Sequence, residues 1–353
     1  MEAQPSEGQA QLIAEVIDRG ICVRCGACVG LCPYFDYFDG KVVVLDRCNA
    51  DTWRCLQVCP RAECKETSEP VSSDGSPESE KIGPYQRIFM ARSTDETCRT
   101  KGQYGGVVTT LITYALRAGD IESAVLTGAG NHLSPGGTLV QKESEVIACA
   151  GSRYSGAGGL SALNKAIEAG ESNIGVVGLP CQMEALDRLK LTKPDGGERF
   201  SRVSARIGLF CTWALDYRQL NDFLRTAGVE GSILKYDIPP PPAETFIIQN
   251  EKDVREFALS DIRPLVQKGC ALCGDMTAER ADISVGAAEG FEGWNTVIVR
   301  TEIGDALADR AIKEHWLEIK DLPEEILEHL KEASRLKRER AKNSRSEAGR
   351  SQP

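Results

Sequence analysis

Residues 21–35 read ICVRCGACVGLCPYF, which places cysteines at positions 22, 25, 28 and 32 and a proline directly after the last of them. Cubane iron–sulfur clusters are held by cysteine thiolates. Three of these thiolates come from one tight loop that wraps a corner of the cluster, and the fourth comes from a distant cysteine. The stretch therefore predicts an iron–sulfur module near the start of the chain.

A second run, CNADTWRCLQVCP at 48–60, also ends in Cys-Pro. In ferredoxins with two clusters, the fourth cysteine of each run binds the cluster of the other run. We therefore expect Cys22, Cys25 and Cys28 to share their cluster with Cys59. A zinc site is the alternative, although zinc does not require the second Cys-Pro pair.

The ligands of the second cluster are less regular. By the same crossing rule, Cys32 joins Cys48 and Cys55. Thr52 stands where the middle cysteine of a complete run would fall, and Cys64 offers a replacement ligand. The second site therefore admits either a cubane or a three-iron cluster.

The bulk composition narrows the class of protein. The chain of 353 residues carries 14 cysteines, which in a reducing compartment favour metal ligation over disulfides. Its net charge of −10 argues against a nucleic-acid binder. No apolar run approaches the roughly 18 residues of a membrane helix, and the polar start MEAQPSEGQAQ lacks the apolar region of a secretory signal. We therefore expect a cytoplasmic protein without a transmembrane segment.

Composition shifts divide the chain into four parts. Residues 1–65 form the predicted ferredoxin-like module, and 66–84, rich in Ser, Pro and Glu, read as a linker. Residues 85–322 alternate β-branched runs with amphipathic stretches, which predicts an α/β domain of parallel strands covered by helices. The basic tail at 323–353 predicts a helix, either solvated and fraying at its end or clamped onto a partner subunit.

Particular runs carry the α/β prediction. Buried strands are expected where apolar runs end in glycine or a loop, and helices where a 3.6-residue apolar period ends at glycine. The predicted strands are 122–128, 173–179, 205–211, 281–286 and 295–301, and the predicted helices are 107–119 and 160–170.

Four further cysteines fall in the α/β region. Cys181 and Cys211 each follow a predicted strand, and the carboxyl ends of parallel strands meet at one edge of a sheet. Cys270 and Cys273 form a Cys-x2-Cys pair between glycines. These thiols fit a third cubane cluster, but buried cysteines that act as small apolar residues, or a zinc or redox pair, fit the spacing equally well.

Two glycine clusters precede the predicted helices. Gly105 and Gly106 stand before the helix at 107–119, and a phosphate can approach backbone N–H groups closely at such a place. The stretch GSRYSGAGGLSAL at 151–163 repeats the pattern beside Arg153 and Tyr154. Neither matches the dinucleotide fingerprint, so a nicotinamide site is not supported, and tight turns or helix packing also use glycine.

In order along the chain, five segments resemble the family of coenzyme F420 hydrogenase/dehydrogenase β-subunits. They are ARSTDETCRTKGQYGGVVTTLITYAL (91–116), GLPCQMEAL (178–186), IGLFC (207–211), KGCALCGDMTAERADISVG (268–286) and GWNTVIVRT (293–301). Some members of this family also carry an N-terminal two-cluster ferredoxin module. One of these members is the input subunit of the F420H2 dehydrogenase.

The resemblance implies an α/β (α+β) domain that binds FAD and a [4Fe–4S] cluster. It implies Cys181, Cys211, Cys270 and Cys273 as the ligands of that cluster, so that the chain would hold two or three clusters in all. The FAD surface implied by the resemblance comprises Gly105, Gly106, Val107, Thr109, Ser152, Arg153, Tyr154, Trp294 and Thr296. Tyr104 departs from the acidic residue that some members carry there.

The activity implied by the resemblance is that of an electron-transfer oxidoreductase subunit. Hydride would pass between coenzyme F420 and FAD, and single electrons would pass through the clusters to or from a partner subunit. No acid–base residue is required for hydride transfer, so none is assigned. The implied partners are subunits of a hydrogenase, a formate dehydrogenase, or a heterodisulfide-reductase-like or complex I-like assembly, the last placing the chain beside a membrane. Ferredoxin or NAD(P)H is the alternative electron donor, and a polyferredoxin-like carrier without catalysis is the alternative class.

Overall fold

The computed structural model describes residues 7–50, 52–63, 81–128, 135–240 and 243–350. The strands in these ranges are β1 Phe35–Phe38, β2 Lys41–Val44, β3 Arg87–Ser93, β4 Ser123–Gly128, β5 Gly136–Val140, β6 Ile174–Gly178, β7 Val203–Leu209, β8 Ile233–Asp237, β9 Thr245–Asn250, β10 Val254–Ala258, β11 Ile283–Ala287, β12 Asn295–Val299 and β13 Leu317–Lys320.

The α-helices in the same ranges complete the element order. They are α1 Glu7–Leu12, α2 Arg54–Val58, α3 Glu96–Lys101, α4 Val107–Ala118, α5 Glu143–Ala148, α6 Gly159–Glu168, α7 Pro180–Leu191, α8 Gly196–Ser201, α9 Tyr217–Thr226, α10 Leu259–Ile262, α11 Glu302–Lys313 and α12 Glu324–Arg350. A π-helical turn at Ile13–Ile17 extends α1, and 3-10 turns lie at Arg263–Leu265 and Lys268–Leu272.

An eight-stranded mixed sheet organises the larger part of the protein. Its strand order is β13–β3–β12–β11–β7–β6–β4–β5. Strands β11, β7, β6 and β4 are parallel, whereas β5 is antiparallel to β4, and β12, β3 and β13 follow one another antiparallel on the other side. The expected parallel sheet is therefore only its centre. Apolar runs alone do not distinguish a parallel strand from a buried antiparallel one.

Helices cover both faces of this sheet, since its central strands are apolar on both sides. On one face Leu111 and Ile112 of α4 and Leu307 of α11 pack against strand residues such as Ile207 and Val285. On the other face, α6 and α7 pack against β4 and β6. Helix α4 begins after Gly106 and ends at Gly119, both in the left-handed region, at φ values of 70° and 76°.

The cysteine-rich N-terminal part packs against the face that carries α6 and α7. Leu12, Val16, Phe35 and Leu56 form its small core. Its loop residues Val23, Ala27 and Leu31 join the core of the larger domain beside α6 and α7. The two parts therefore share one continuous apolar contact.

A second, three-stranded antiparallel sheet has the order β10–β9–β8. Leu220 and Leu224 of α9 pack with Phe246 and Ile248 of β9 to form its core. This sheet was not predicted from the sequence, because its strands are short and half-exposed.

Helix α12 is a helix as predicted, but it is not fully solvated. Ser334, Lys337 and Ala341 are buried at spacings of three and four residues, which places them on one face of the helix. Arg345 donates to the carbonyl of Leu272, at 2.8 Å from its Nη2. The helix is therefore clamped onto this chain's own Cys-x2-Cys loop. In the part of the chain that the structure describes, no helix is both long and apolar enough to cross a membrane.

Candidate functional site

Cys22, Cys25, Cys28 and Cys59 line one small cavity in the N-terminal part. Apolar side chains such as Leu12 and Val16 form the rest of its wall. Burial raises the pKa of all four thiols, that of Cys59 to about 11. The structure thus brings together the four thiols that the crossing rule assigned to one site, and their role as ligands stays a prediction.

Tight backbone turns bring three of these thiols from one loop. Arg24 and Gly26 alternate with the cysteines and adopt left-handed φ values of 60° and 82°. Successive cysteine side chains consequently turn toward the same cavity. Arg24 is held in this uncommon conformation by an ion pair between its Nη2 and the Asp216 carboxylate.

Cys32, Cys48 and Cys55 lie together at a second place in the same part of the chain. Burial, together with the nearby Cys32 and Cys48, raises the pKa of the Cys55 thiol to about 12. The backbone N–H of Cys48 donates to Oε1 of Gln9 at 2.7 Å, which fixes the loop. Cys64, the predicted replacement ligand, lies outside the described residues.

Cys181, Cys211, Cys270 and Cys273 line a second small cavity. Strands β6 and β7 are parallel neighbours, so the residues that follow them reach the same edge of the sheet. Cys181 lies in the first turn of α7, directly after Pro180, and Cys211 lies two residues past the end of β7. The 3-10 turn Lys268–Leu272 carries the other pair across from them.

Burial is the largest influence on these thiols as well. It raises the pKa of Cys211 to about 12 and that of Cys181 well above its ordinary value. Thiols in such surroundings stay protonated without metal, and iron binding would release their protons. Among the described residues, no three His, Cys, Asp or Glu side chains converge closely enough to hold a single metal ion. Four thiols that line one cavity without converging on a single point fit a cluster better than one zinc ion.

The two four-thiol cavities are neighbours. Val23 lines both of them. Cys25 of the first cavity and Cys181 of the second are close enough to influence each other's ionisation. Electron transfer between groups held in the two cavities would therefore cross only one layer of side chains.

Gly105 and Gly106 are required by backbone packing. A Cβ at Gly105 would lie 2.8 Å from the carbonyl oxygen of Ala91 and from Oδ1 of Asn295. At Gly106 a Cβ would overlap the carbonyl of Cys98. Because the space above both glycines is filled by the protein itself, their presence alone does not indicate a phosphate.

The first turn of α4 is nevertheless a place where backbone N–H groups have no side-chain cap. No side chain caps this helix, and the N–H of Val107 reaches Oδ1 of Asn295 only at 3.4 Å. Thr109 is buried in the same turn. Nε of Arg153 is buried and has no hydrogen-bond partner among the described residues. An uncapped helix start and a buried guanidinium N–H are each donors that suit an anionic group.

The segments at 101–104 and 151–154 meet at the end of β8. Tyr104 donates its hydroxyl to the Asp237 carboxylate at 3.2 Å, and the Tyr154 hydroxyl accepts from the N–H of Ile238 at 3.0 Å. Ser152 lies beside Tyr154. Tyr104, which directly precedes the predicted binding residue Gly105, thus lies in one region with Ser152 and Tyr154.

Trp294 and Thr296 have protein partners. Trp294 is 5% exposed, and Arg92 and Lys320 stand over its ring at 4.7 Å and 4.4 Å from the centroid. Thr296 is buried in β12, and its hydroxyl donates to the carbonyl of Ala287 at 3.3 Å. Packing within the protein accounts for both residues.

The glycines of the second cluster lie where the N-terminal part packs against the larger domain. A Cβ at Gly158 would lie 2.9 Å from the Tyr37 ring, and one at Gly26 would lie 2.8 Å from the Gly158 carbonyl. A Cβ at Gly156 would overlap Gln267, and one at Gly159 would lie 2.6 Å from Nε2 of Gln182. These glycines let two parts of the chain approach closely.

Two family models match the larger domain. Residues 88–164 match the model of the N-terminal part of the coenzyme F420 hydrogenase/dehydrogenase beta subunit, and 171–325 match the model of the C-terminal part of the same subunit. The chain belongs to the family of coenzyme F420 hydrogenase/dehydrogenase β-subunits. The resemblance drawn from the five sequence segments is thereby confirmed.

Known members of this family match most of the chain. The beta subunit of coenzyme F420 hydrogenase of Methanothermobacter thermautotrophicus is 32% identical over 279 residues, which are 76% of this chain and 98% of that protein. A chain of the F420-reducing [NiFe] hydrogenase complex from Methanosarcina barkeri superposes with a TM-score of 0.70 at 27% identity, covering 77% of this chain and 94% of that one.

Other relatives reach the N-terminal part or extend beyond it. One subunit of the F420H2 dehydrogenase of Methanosarcina mazei is 28% identical over 92% of both chains. A ferredoxin of Pyrobaculum islandicum is 38% identical over 58 residues, which are 15% of this chain and 53% of that protein. The coenzyme F420-dependent sulfite reductase of Methanocaldococcus jannaschii is 31% identical over 83% of this chain, and this chain spans 46% of its length.

Two cations at the second cavity, Arg61 and Lys337, were not predicted from the sequence, and both line the cavity. Because Arg61 directly follows the second Cys-Pro, the sequence indicates that it lies near a cluster. The sequence does not indicate that its side chain lines the second cavity. Lys337 is one of many basic residues in the tail, and nothing in the sequence distinguishes it.

Proposed function

We propose that this family member is an electron-transfer subunit that exchanges hydride with coenzyme F420 and passes single electrons to or from a partner subunit. The observation that carries the proposal is the pair of adjacent cavities, each lined by four unpaired cysteines. Cubane clusters need four thiolates each, and such clusters carry one electron at a time. Two neighbouring sites form the beginning of a relay.

The ligand sets are proposed to be those that share a cavity. Cys22, Cys25, Cys28 and Cys59 would hold one [4Fe–4S] cluster. A second set, Cys181, Cys211, Cys270 and Cys273, would hold another. Cys32, Cys48 and Cys55, with Cys64, would hold a third.

FAD is proposed for the region where α4 begins. The uncapped first turn of this helix and the unpartnered Nε of Arg153 fit the diphosphate of such a cofactor. Bound there, FAD would supply the chemistry that exchanges a hydride for two single electrons. The glycines and Trp294 contribute less to this proposal than their sequence pattern suggests, because protein atoms already fill the space around them.

The chain's own residues have three tasks in this function. The first turn of α4 and Arg153 would bind the anionic part of the cofactor. Tyr104 and Tyr154, fixed by Asp237 and Ile238, would orient the ring system beside it. The apolar walls of both cavities exclude water from the thiols. No proton has to be moved by a side chain.

The partner is proposed to be another redox subunit. Relatives are named as subunits of an F420 hydrogenase and of an F420H2 dehydrogenase. A subunit of the same kind has to deliver electrons to a further protein. A cytoplasmic position, either free or beside a membrane complex, is proposed on the same grounds.

Anaerobic spectral titration of the purified chain tests the function. Reduced F420, NADH and reduced ferredoxin are added separately while flavin and cluster absorption are recorded. We expect bleaching with reduced F420 and none with NADH. Bleaching only with NADH or ferredoxin would assign another donor. Protein that carries iron and acid-labile sulfide but no flavin would indicate a simple electron carrier.

A further inference from the structure

Arg61 is contributed by the N-terminal part to the cavity of the larger domain. Its side chain is 2% exposed. Its Nε donates to the carbonyl of Gly269 at 3.0 Å, and its Nη1 donates to the carbonyl of Pro60 at 2.7 Å. These two hydrogen bonds fix the plane of the guanidinium against the Cys-x2-Cys loop.

One nitrogen of the same guanidinium remains available to a group in the cavity. Nη2 of Arg61 is buried and has no hydrogen-bond partner among the described residues. A buried donor without a partner is unfavourable, and more so when it is charged. Arg61 lines the cavity of Cys181, Cys211, Cys270 and Cys273 and does not line the other one. A group held in that cavity would be the natural acceptor.

The surrounding charges do not cancel this cation. Glu184 pairs with Nη1 at 3.5 Å, but the Glu184 side chain is 28% exposed and is screened by water. Lys337 adds a second buried cation to the cavity wall. Its Nζ donates to the carbonyls of Cys211 and Asp275 at 2.5 Å and 2.8 Å. Asp275 is a buried carboxyl that acts on both Lys337 and Cys211, but it does not line the cavity as the two cations do.

A buried positive charge favours the more negative form of a nearby group. A cluster that accepts one electron gains one negative charge, while no bond forms or breaks and Arg61 keeps its proton. Hydrogen bonds to cluster sulfur act in the same direction and are a recognised determinant of cluster potential. Low polarity around the cavity strengthens both effects.

We propose that Arg61 is a positioning residue that raises the reduction potential of the cluster held by Cys181, Cys211, Cys270 and Cys273. The proposal rests on the function proposed above, because it presupposes that cluster. Since Arg61 comes from the N-terminal part, the potential of the larger domain's cluster depends on the docking of that part. Electrons would then be drawn toward the junction of the two cavities.

The test is an EPR-monitored redox titration of the full chain, with dithionite as reductant. The signal of this cluster is the one that disappears in Cys270→Ser. In Arg61→Gln we expect its midpoint potential to fall by at least 59 mV, which is a tenfold shift of a one-electron equilibrium. Arg61→Lys keeps the charge and should recover part of the loss. Arg117→Gln removes an exposed arginine paired with Glu143 and should leave the potential unchanged.

The other possible results of this titration distinguish the inference from the proposed function. An unchanged midpoint in Arg61→Gln at wild-type iron content would overturn the inference alone. If Arg61→Gln fails to assemble, Arg61→Lys decides. Lysine keeps the charge but not the fixed set of donors, so its one-electron equilibrium should shift at least twofold toward the oxidised cluster, and an unchanged or higher midpoint would overturn the inference. Wild-type protein without a signal sensitive to Cys270→Ser would instead contradict the proposed function.

Discussion

Replacement of Gly26 by alanine should weaken the packing of the N-terminal part against the larger domain. Gly26 has a φ of 82°, where a Cβ costs about 1–2 kcal/mol. The new Cβ would also lie 2.8 Å from the backbone carbonyl carbon and oxygen of Gly158. Backbone atoms cannot rotate away, so overpacking adds about 1–3 kcal/mol. The expected loss in the free energy of unfolding is therefore about 2–5 kcal/mol.

Gly20 provides the matched control. Its φ is 68°, and a Cβ there would meet nothing nearer than Lys268 Cδ at 3.9 Å. Gly20→Ala should thus cost only the conformational part, about 1–2 kcal/mol. Anaerobic thermal unfolding of the two variants and the wild type measures the difference. Equal melting temperatures for Gly20→Ala and Gly26→Ala would refute the close contact between Gly26 and Gly158.

Three further predictions address the cluster, the interface and its charge. Cys270→Ser should remove about four iron atoms per chain, measured by iron and sulfide analysis; unchanged iron would contradict the ligand assignment. Asn164→Leu removes both 2.8 Å hydrogen bonds from Nδ2 to the carbonyls of Ala27 and Val29, and should cost about 2–4 kcal/mol, against less than about 0.5 for the exposed Asn221→Leu. Asp216→Asn keeps the helix cap but leaves Arg24, 9% exposed, without its carboxylate, and should cost about 3 kcal/mol at neutral pH. Burial alone would raise the pKa of Asp216, but Arg24 holds it below its ordinary 3.8. The stabilisation of the fold by this ion pair is therefore present above pH 3.8 and disappears as the pH falls further. A difference between wild type and Asp216→Asn that persists in strong acid would contradict the ion pair.

The cysteine pattern and the central strands could be read from the sequence because both depend on local order. The crossing rule grouped Cys22, Cys25 and Cys28 with Cys59, and the structure places all four around one cavity. Runs such as 173–179 and 205–211 predicted β6 and β7 closely. The antiparallel strands at the sheet edges and the sheet β8–β10 were missed, since short, half-exposed strands carry little apolar pattern.

The glycine clusters show why other parts were not predictable. A glycine that accepts a phosphate and a glycine that accepts another part of the chain look alike in sequence. The stretch 151–163 repeats a glycine pattern that a phosphate can approach, yet Gly158 within it receives Tyr37 and Gly26. Arg61 and Lys337 reach their cavity only through the docking of the N-terminal part and of α12. That information belongs to the tertiary structure.

The central claim, that hydride from F420 reaches iron–sulfur clusters as single electrons, is tested most directly by EPR spectroscopy of the anaerobically purified chain after addition of reduced F420. We expect signals of reduced [4Fe–4S] clusters, with bound flavin released on denaturation. Protein that contains neither iron–sulfur clusters nor flavin, or clusters that stay oxidised with reduced F420 but accept electrons from dithionite, would contradict the claim.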